Sequence, residues 1–118
     1  MSGAPAPTVL MAEQAGSSRR KVVDAIEIHY HATPFRGERF LELYRPAIAR
    51  VLAYGADGYV FYRYEADTDH FVHLSYWENR DDFNRYWFSR EMQQIRQKVA
   101  GLHGQPVLPE WDLVIDRR

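Results

Sequence analysis

From residue 21 to 31 (KVVDAIEIHYH) apolar and polar positions alternate. Val22, Asp24, Ile26, Ile28 and Tyr30 fall on one face; Val23, Ala25, Glu27, His29 and His31 fall on the other. A two-residue period predicts a first strand. Thr33-Pro34 then reads as an N-cap followed by proline in a first helical turn. Over residues 36–54, Phe40, Tyr44, Ala47, Ile48, Val51 and Leu52 recur at three and four, which predicts a first helix. Pro46 inside it predicts a kink or break, and Gly55 and Gly58 end it and open a loop. Residues 59–65 (YVFYRYE) and 71–77 (FVHLSYW) read as a second and a third strand, joined by a hairpin loop over 66–70 that contains Asp-Thr-Asp. Asn79, with Asp81 and Asp82, marks the start of a second helix carrying Phe83, Tyr86, Trp87, Met92, Ile95 and Val99. Ser89 is placed to cap a second segment, so this helix is expected to bend. A loop with two glycines and two prolines covers 101–109, and residues 111–116 (WDLVID) read as a fourth strand.

The order βαββαβ predicts an α+β, ferredoxin-like domain: a four-stranded antiparallel sheet with two helices on one face, over residues 21–118. Residues 1–20, rich in small residues and proline, are expected to form a flexible tail. The face of the sheet away from the helices also carries apolar residues: Val23, Ala25, Val60, Tyr62, Tyr64, Val72, Leu74 and Tyr76. A sheet with one wet face alternates more strictly, and a patch of this kind calls for cover. The pattern therefore predicts a homodimer packed sheet on sheet.

Composition narrows the functional classes. The 118 residues allow one domain. With no cysteine there is no disulfide framework, thiolate metal site or thiol nucleophile. A net charge of −1, with arginines interleaved with acids, argues against nucleic acid as a partner. No apolar run reaches the ~20 residues of a membrane span, and none resembles a signal-peptide core, so a soluble, cytoplasmic protein is expected. Eight tyrosines, six phenylalanines and three tryptophans in so short a chain raise the question of what the rings do.

Turning the hairpin through 66–70 sets Arg63 opposite His73 and Tyr59 opposite Trp77, on the same face as Phe61. If Asp24 also faces the helices, a carboxylate, an imidazole and a guanidinium line one aromatic space; a one-residue slip of the first strand would remove Asp24 from it. Asp24 and His73 could then work as an acid/base pair, Arg63 could hold a developing oxyanion, and Trp77, Phe61, Tyr59, Tyr86 and Trp87 could wall in a flat ligand. Equally, Asp24, Arg63 and His73 could simply satisfy one another in a polar core. His29 and His31 form an i, i+2 pair with His70 nearby, but no third ligand has suitable spacing, so no metal site is expected. There is no phosphate-binding loop, dinucleotide fingerprint or serine nucleophile elbow.

Val22-Val23-Asp24-Ala25-Ile26-Glu27, Gly58 before the second strand, Tyr76-Trp77-Glu78, Asp81-Asp82-Phe83 and the ring pair Tyr86-Trp87 resemble the antibiotic biosynthesis monooxygenase-like proteins, which are dimeric α+β barrels. The resemblance implies a pocket lined by positions 24, 73 and 77. The cofactor-independent members have two asparagines and a tryptophan there; this chain has Asp24, His73 and Trp77. The haem-degrading branch uses a histidine of the second helix as iron ligand, and this chain has none there, so no cofactor is expected. The resemblance implies a monooxygenase-like enzyme that deprotonates a planar aromatic, polyketide-type or quinone-type substrate and lets it react with dioxygen. A non-redox isomerase or cyclase using the same acid/base pair, and a non-catalytic binder of an aromatic or haem-like ligand, are the alternatives.

Overall fold

The computed structural model describes residues 23–104 and 106–117; the expected tail lies outside the described residues. Four strands, β1 (Asp24–His31), β2 (Gly58–Arg63), β3 (His70–Trp77) and β4 (Glu110–Leu113), form one antiparallel sheet in the order β2-β3-β1-β4. Two broken helices lie between them: α1 (Gly37–Ile48) with α2 (Arg50–Ala53), and α3 (Arg80–Trp87) with α4 (Arg90–Val99). This is the expected ferredoxin-like α+β architecture, with β1 and β3 as central neighbours. Ile26, Ile28 and Tyr30 of β1 pack against Phe40, Tyr44 and Ala47 of α1, Phe83 and Tyr86 of α3, and Met92, Ile95 and Val99 of α4. Among the described residues no helix is long and apolar enough to cross a membrane.

The start of α1 differs from the sequence reading. Thr33 does not cap it. Its hydroxyl donates to the Leu102 carbonyl at 3.4 Å and its carbonyl accepts from the Arg36 N–H. Phe35 adopts a φ of 69°, turning the chain before the helix begins at Gly37. The second helix follows expectation. The Asn79 side chain accepts from the Asp81 N–H, the Ser89 hydroxyl accepts from the Met92 N–H, and the helix divides at Ser89.

The break between α1 and α2 has a tertiary cause as well as the expected proline. Pro46 sits inside α1 and supplies no N–H to the preceding turn. The interruption falls at Ala49, where Leu52 donates to the Ala49 carbonyl instead of reaching Ile48 four residues back. The Ile48 carbonyl accepts from the His73 ring at 3.1 Å, and the neighbouring Ala47 carbonyl accepts from the Tyr86 hydroxyl at 2.9 Å. Gly55, at φ 111°, then ends the helical region.

The β2–β3 hairpin is displaced from its expected register. Phe61 lies opposite His73, Arg63 opposite Phe71, and Tyr59 opposite Ser75. The turn centres on Asp67, whose carboxylate accepts from the Asp69 N–H and whose carbonyl accepts from the His70 N–H. The loop is therefore one position earlier than drawn, and the register moves by two. A two-residue shift keeps every side chain on its face, so Tyr59, Phe61, Arg63, His73 and Trp77 still point towards the helices, but with different neighbours.

Candidate functional site

The inner face of β1 presents Asp24, Ile26, Ile28 and Tyr30, so the strand faces the way the alternation predicts. The proposed acid/base pair does not assemble. Asp24 lies opposite Trp77 and His73 opposite Ile28, four strand positions or about 13 Å apart at ~3.3 Å per residue. Asp24 pairs with Arg80 at 2.8 Å, and the Arg80 guanidinium covers the Trp111 ring at 4.6 Å. Arg63 is at the hairpin end of the sheet. It bonds the Glu38 carboxylate and the Thr68 carbonyl and lies over the Phe71 ring.

His73 is locked. It is buried, and a carbonyl can only accept, so Nε2–H must donate to Ile48. Nδ1 then carries the lone pair and accepts from the Tyr44 hydroxyl at 2.8 Å. Burial pushes the imidazole down to about 4, against the opposing influence of the Ile48 hydrogen bond. A neutral ring with both nitrogens engaged holds α1 to the sheet and has no lone pair to offer a substrate.

The rings separate into two packed groups. Tyr59, Phe61, Tyr44 and His73 make edge and stacked contacts at one side. At the other side Trp77 is fully buried, with its indole N–H donating to Ser75 at 2.8 Å, and it packs on Phe83 and Tyr86. Trp77 and Tyr86 are thus core residues as well as candidate pocket walls. Trp87 stacks on Phe83 and carries the Arg96 guanidinium 4.3 Å above its ring.

Among the described residues, two buried side-chain atoms between these groups have no hydrogen bond of good geometry: the Tyr30 hydroxyl and Arg96 Nη1. The Tyr30, Tyr44 and Tyr86 hydroxyl groups interact with one another, and the Arg96 charge acts on Tyr30 and Tyr86. Burial raises all three phenols above their ordinary value, so they are donors and not bases. Buried polar groups are nearly always satisfied. A hydroxyl without a well-formed hydrogen bond, in the field of a guanidinium with a buried nitrogen to spare, is a donor set suited to an anionic oxygen. Sequence reasoning passed over Tyr30 and Tyr44 as parts of apolar stripes and gave Arg96 no role in the pocket. The available signal was a tyrosine following Ile26 and Ile28 on the inner strand face, which needs a partner for its hydroxyl.

The outer face mixes apolar and ionisable groups. Val60, Tyr62 and Tyr64 are exposed, whereas Val72 and Ala25 are buried. Beside them Glu27 accepts from His29 Nε2 at 2.8 Å, and His29 Nδ1 lies 2.8 Å from His70 Nε2. Asp112 is pushed up to about 6, chiefly by its hydrogen bond to Glu27, while hydrogen bonds from Asp112 and His29 lower Glu27.

The sequence profile of the antibiotic biosynthesis monooxygenase family matches residues 25–98. That span takes in the sheet core and both broken helices, and the chain belongs to this family. A Mycobacterium tuberculosis protein, Rv0793, superposes with a TM-score of 0.70 at 20% identity, covering 80% of this chain and 97% of its own. A Nitrosomonas europaea protein carrying the family's description gives 0.73 at 14% identity, covering 81% and 93%. A Caulobacter crescentus protein carrying the same description gives 0.71 at 11% identity, covering 81% and 92%. At these identities the likeness is one of fold. No protein of curated function matches the chain.

Two outcomes test this geometry. An imidazole in the unfolded chain titrates near 6.5 and His73 near 4, so between these values the unfolded chain binds the extra proton. Stability therefore falls as pH drops from 6.5 towards 4, at about 1.4 kcal/mol per pH unit. In urea denaturation His73→Gln should flatten this slope by about one proton; an unchanged slope would show that His73 is not buried neutral. Tyr30→Phe removes an unpaired buried hydroxyl, so the ligand-free chain should hold or gain stability, by up to about 1 kcal/mol. A clear drop in melting temperature would mean that the hydroxyl has a structural partner.

Proposed function

We propose that the chain is a cofactor-independent monooxygenase-type enzyme that binds a planar aromatic or quinone-type substrate as its anion. The observation carrying this reading is the buried, unpartnered pair Tyr30 hydroxyl and Arg96 Nη1 within a layer of aromatic rings. The rings offer flat contact area. Arg96 and Tyr30 stabilise a phenolate or enolate oxygen and so lower the pKa of the bound substrate. The substrate's own acidity then takes the place of a general base, since His73 has no free lone pair. The ring carbanion of that anion adds dioxygen. Proton uptake and loss of water from the resulting peroxide convert a ring CH2 to a carbonyl, with dioxygen as the four-electron oxidant. His73 serves as a positioning residue for Tyr44, and Trp87 holds Arg96 by stacking. Asp24, paired with Arg80, and Arg63, paired with Glu38, lie towards opposite ends of the inner face and have no part in this step.

The engagement of both His73 nitrogens favours, as a second reading, a protein that binds an aromatic anion without turning it over. It weakens an isomerase or cyclase reading, which needs an acid/base pair in contact. Dioxygen consumption with a hydroxyanthrone-type phenol, followed with an oxygen electrode, separates these. The enzyme reading expects stoichiometric uptake and a loss of about 10²-fold or more in Arg96→Gln. Tryptophan quenching without oxygen uptake supports the binder, and anaerobic turnover the isomerase.

The exposed Val60, Tyr62 and Tyr64 support a homodimer through the outer sheet face. Sedimentation at micromolar concentration should give twice the 13.9 kDa chain mass. A monomer that persists as concentration rises would exclude it.

A further inference from the structure

We infer that His31, Asp67 and His70 form a binding site for a first-row divalent transition metal ion such as Zn2+, at the hairpin end of the outer sheet face. One ligand atom from each of the three lies within 4.8 Å of the others. The sequence spacing conceals this. His31 and His70 are 39 positions apart but directly opposite each other in the β1–β3 ladder, with ring centroids 4.1 Å apart. Asp67 joins them because the hairpin turns on it: its carbonyl accepts from the His70 N–H. A tetrahedral ion holds ligands at 2.0–2.1 Å, which sets them about 3.4 Å from one another. Asp67 is exposed and the histidines are half-buried, so the carboxylate is the ligand free to rotate towards the two rings.

A row of hydrogen bonds prepares the ligand. The Glu27 carboxylate can only accept, so His29 Nε2 carries the proton of that 2.8 Å bond. Nδ1 of neutral His29 is then an acceptor, and His70 Nε2–H donates to it at 2.8 Å. This leaves the lone pair of His70 on Nδ1, the state a metal ligand requires. A carboxylate or other acceptor behind a ligating imidazole is the usual supporting arrangement of such sites. The Tyr64 ring, 3.8 Å from that of His70, further limits its rotation. Two imidazoles and one carboxylate select Zn2+, Ni2+ or Cu2+ over Mg2+ or Ca2+, which prefer all-oxygen sets. Three protein ligands leave the fourth position to water or a further ligand. Bound metal would tie the hairpin loop to the end of β1.

Zn2+ titration of the untagged full chain by calorimetry, with Co2+ absorption as a report on geometry, tests the site. The expected result is one equivalent of metal per chain, intense tetrahedral Co2+ bands, and a melting temperature that rises with Zn2+. His31→Asn and Asp67→Asn, both near the surface, should each weaken Zn2+ by about tenfold or more, and His29→Gln by a similar factor through its support of His70. Mg2+ should not compete. No saturable Zn2+ binding, or binding unchanged in His31→Asn and Asp67→Asn chains of native melting behaviour, would overturn the proposal. Neither result depends on oxygen uptake, so this site and the aromatic-anion site stand or fall separately.

Discussion

The fold turns on one buried side chain between a strand and a broken helix. His73, in the central strand β3, donates to the Ile48 carbonyl and accepts from the Tyr44 hydroxyl, both on α1. Its partners leave it one tautomer and no spare hydrogen-bonding capacity. The break after Ile48 frees the carbonyl that His73 takes, and the Ala47 carbonyl beside it receives Tyr86 from α3. Sheet, first helix and second helix are thereby joined at two successive backbone carbonyls. Glu91 of α4, bonded to Arg50 and Tyr54, ties down the short segment beyond the break.

This arrangement decides where chemistry can occur. A histidine used as a peg is withdrawn from proton transfer, and Asp24, spent on Arg80 four positions along the strand, cannot reach it. Among the described residues, the buried polar capacity left over belongs to Tyr30 and Arg96. Both are donors, which shifts the mechanistic emphasis from taking a proton to holding a negative charge. The many aromatic residues thus have unequal duties: Trp77, Phe83 and Tyr86 are mainly core, while Trp87 supports a guanidinium.

The outer face has its own division. Tyr62 and Tyr64 extend the apolar patch at β2, and the end of β1 carries Glu27, His29 and His31, of which His31 lies opposite His70 in the ladder and His29 bonds to it. These groups are close because an antiparallel pair places residues of opposite sequence direction side by side. The Asp67 turn that shifted the hairpin register also brought a carboxylate beside the two histidines.

Element order, the faces of β1, β2 and β3, the capping by Asn79 and Ser89, and the family were all legible in the order of residues. Each rests on local periodicity or on side chains reaching their own backbone, and a two-residue register error leaves strand faces unchanged. Which polar groups meet is settled by the packing of sheet and helices. The separation of Asp24 from His73, the locking of His73 by Ile48 and Tyr44, the buried donors left over on Tyr30 and Arg96, and the meeting of His31 with Asp67 and His70 all depend on register and on helix placement. Strand parity says which side a residue faces. Hydrogen-bond distances of about 3 Å are finer than one strand step of ~3.3 Å, so parity cannot say what that residue touches.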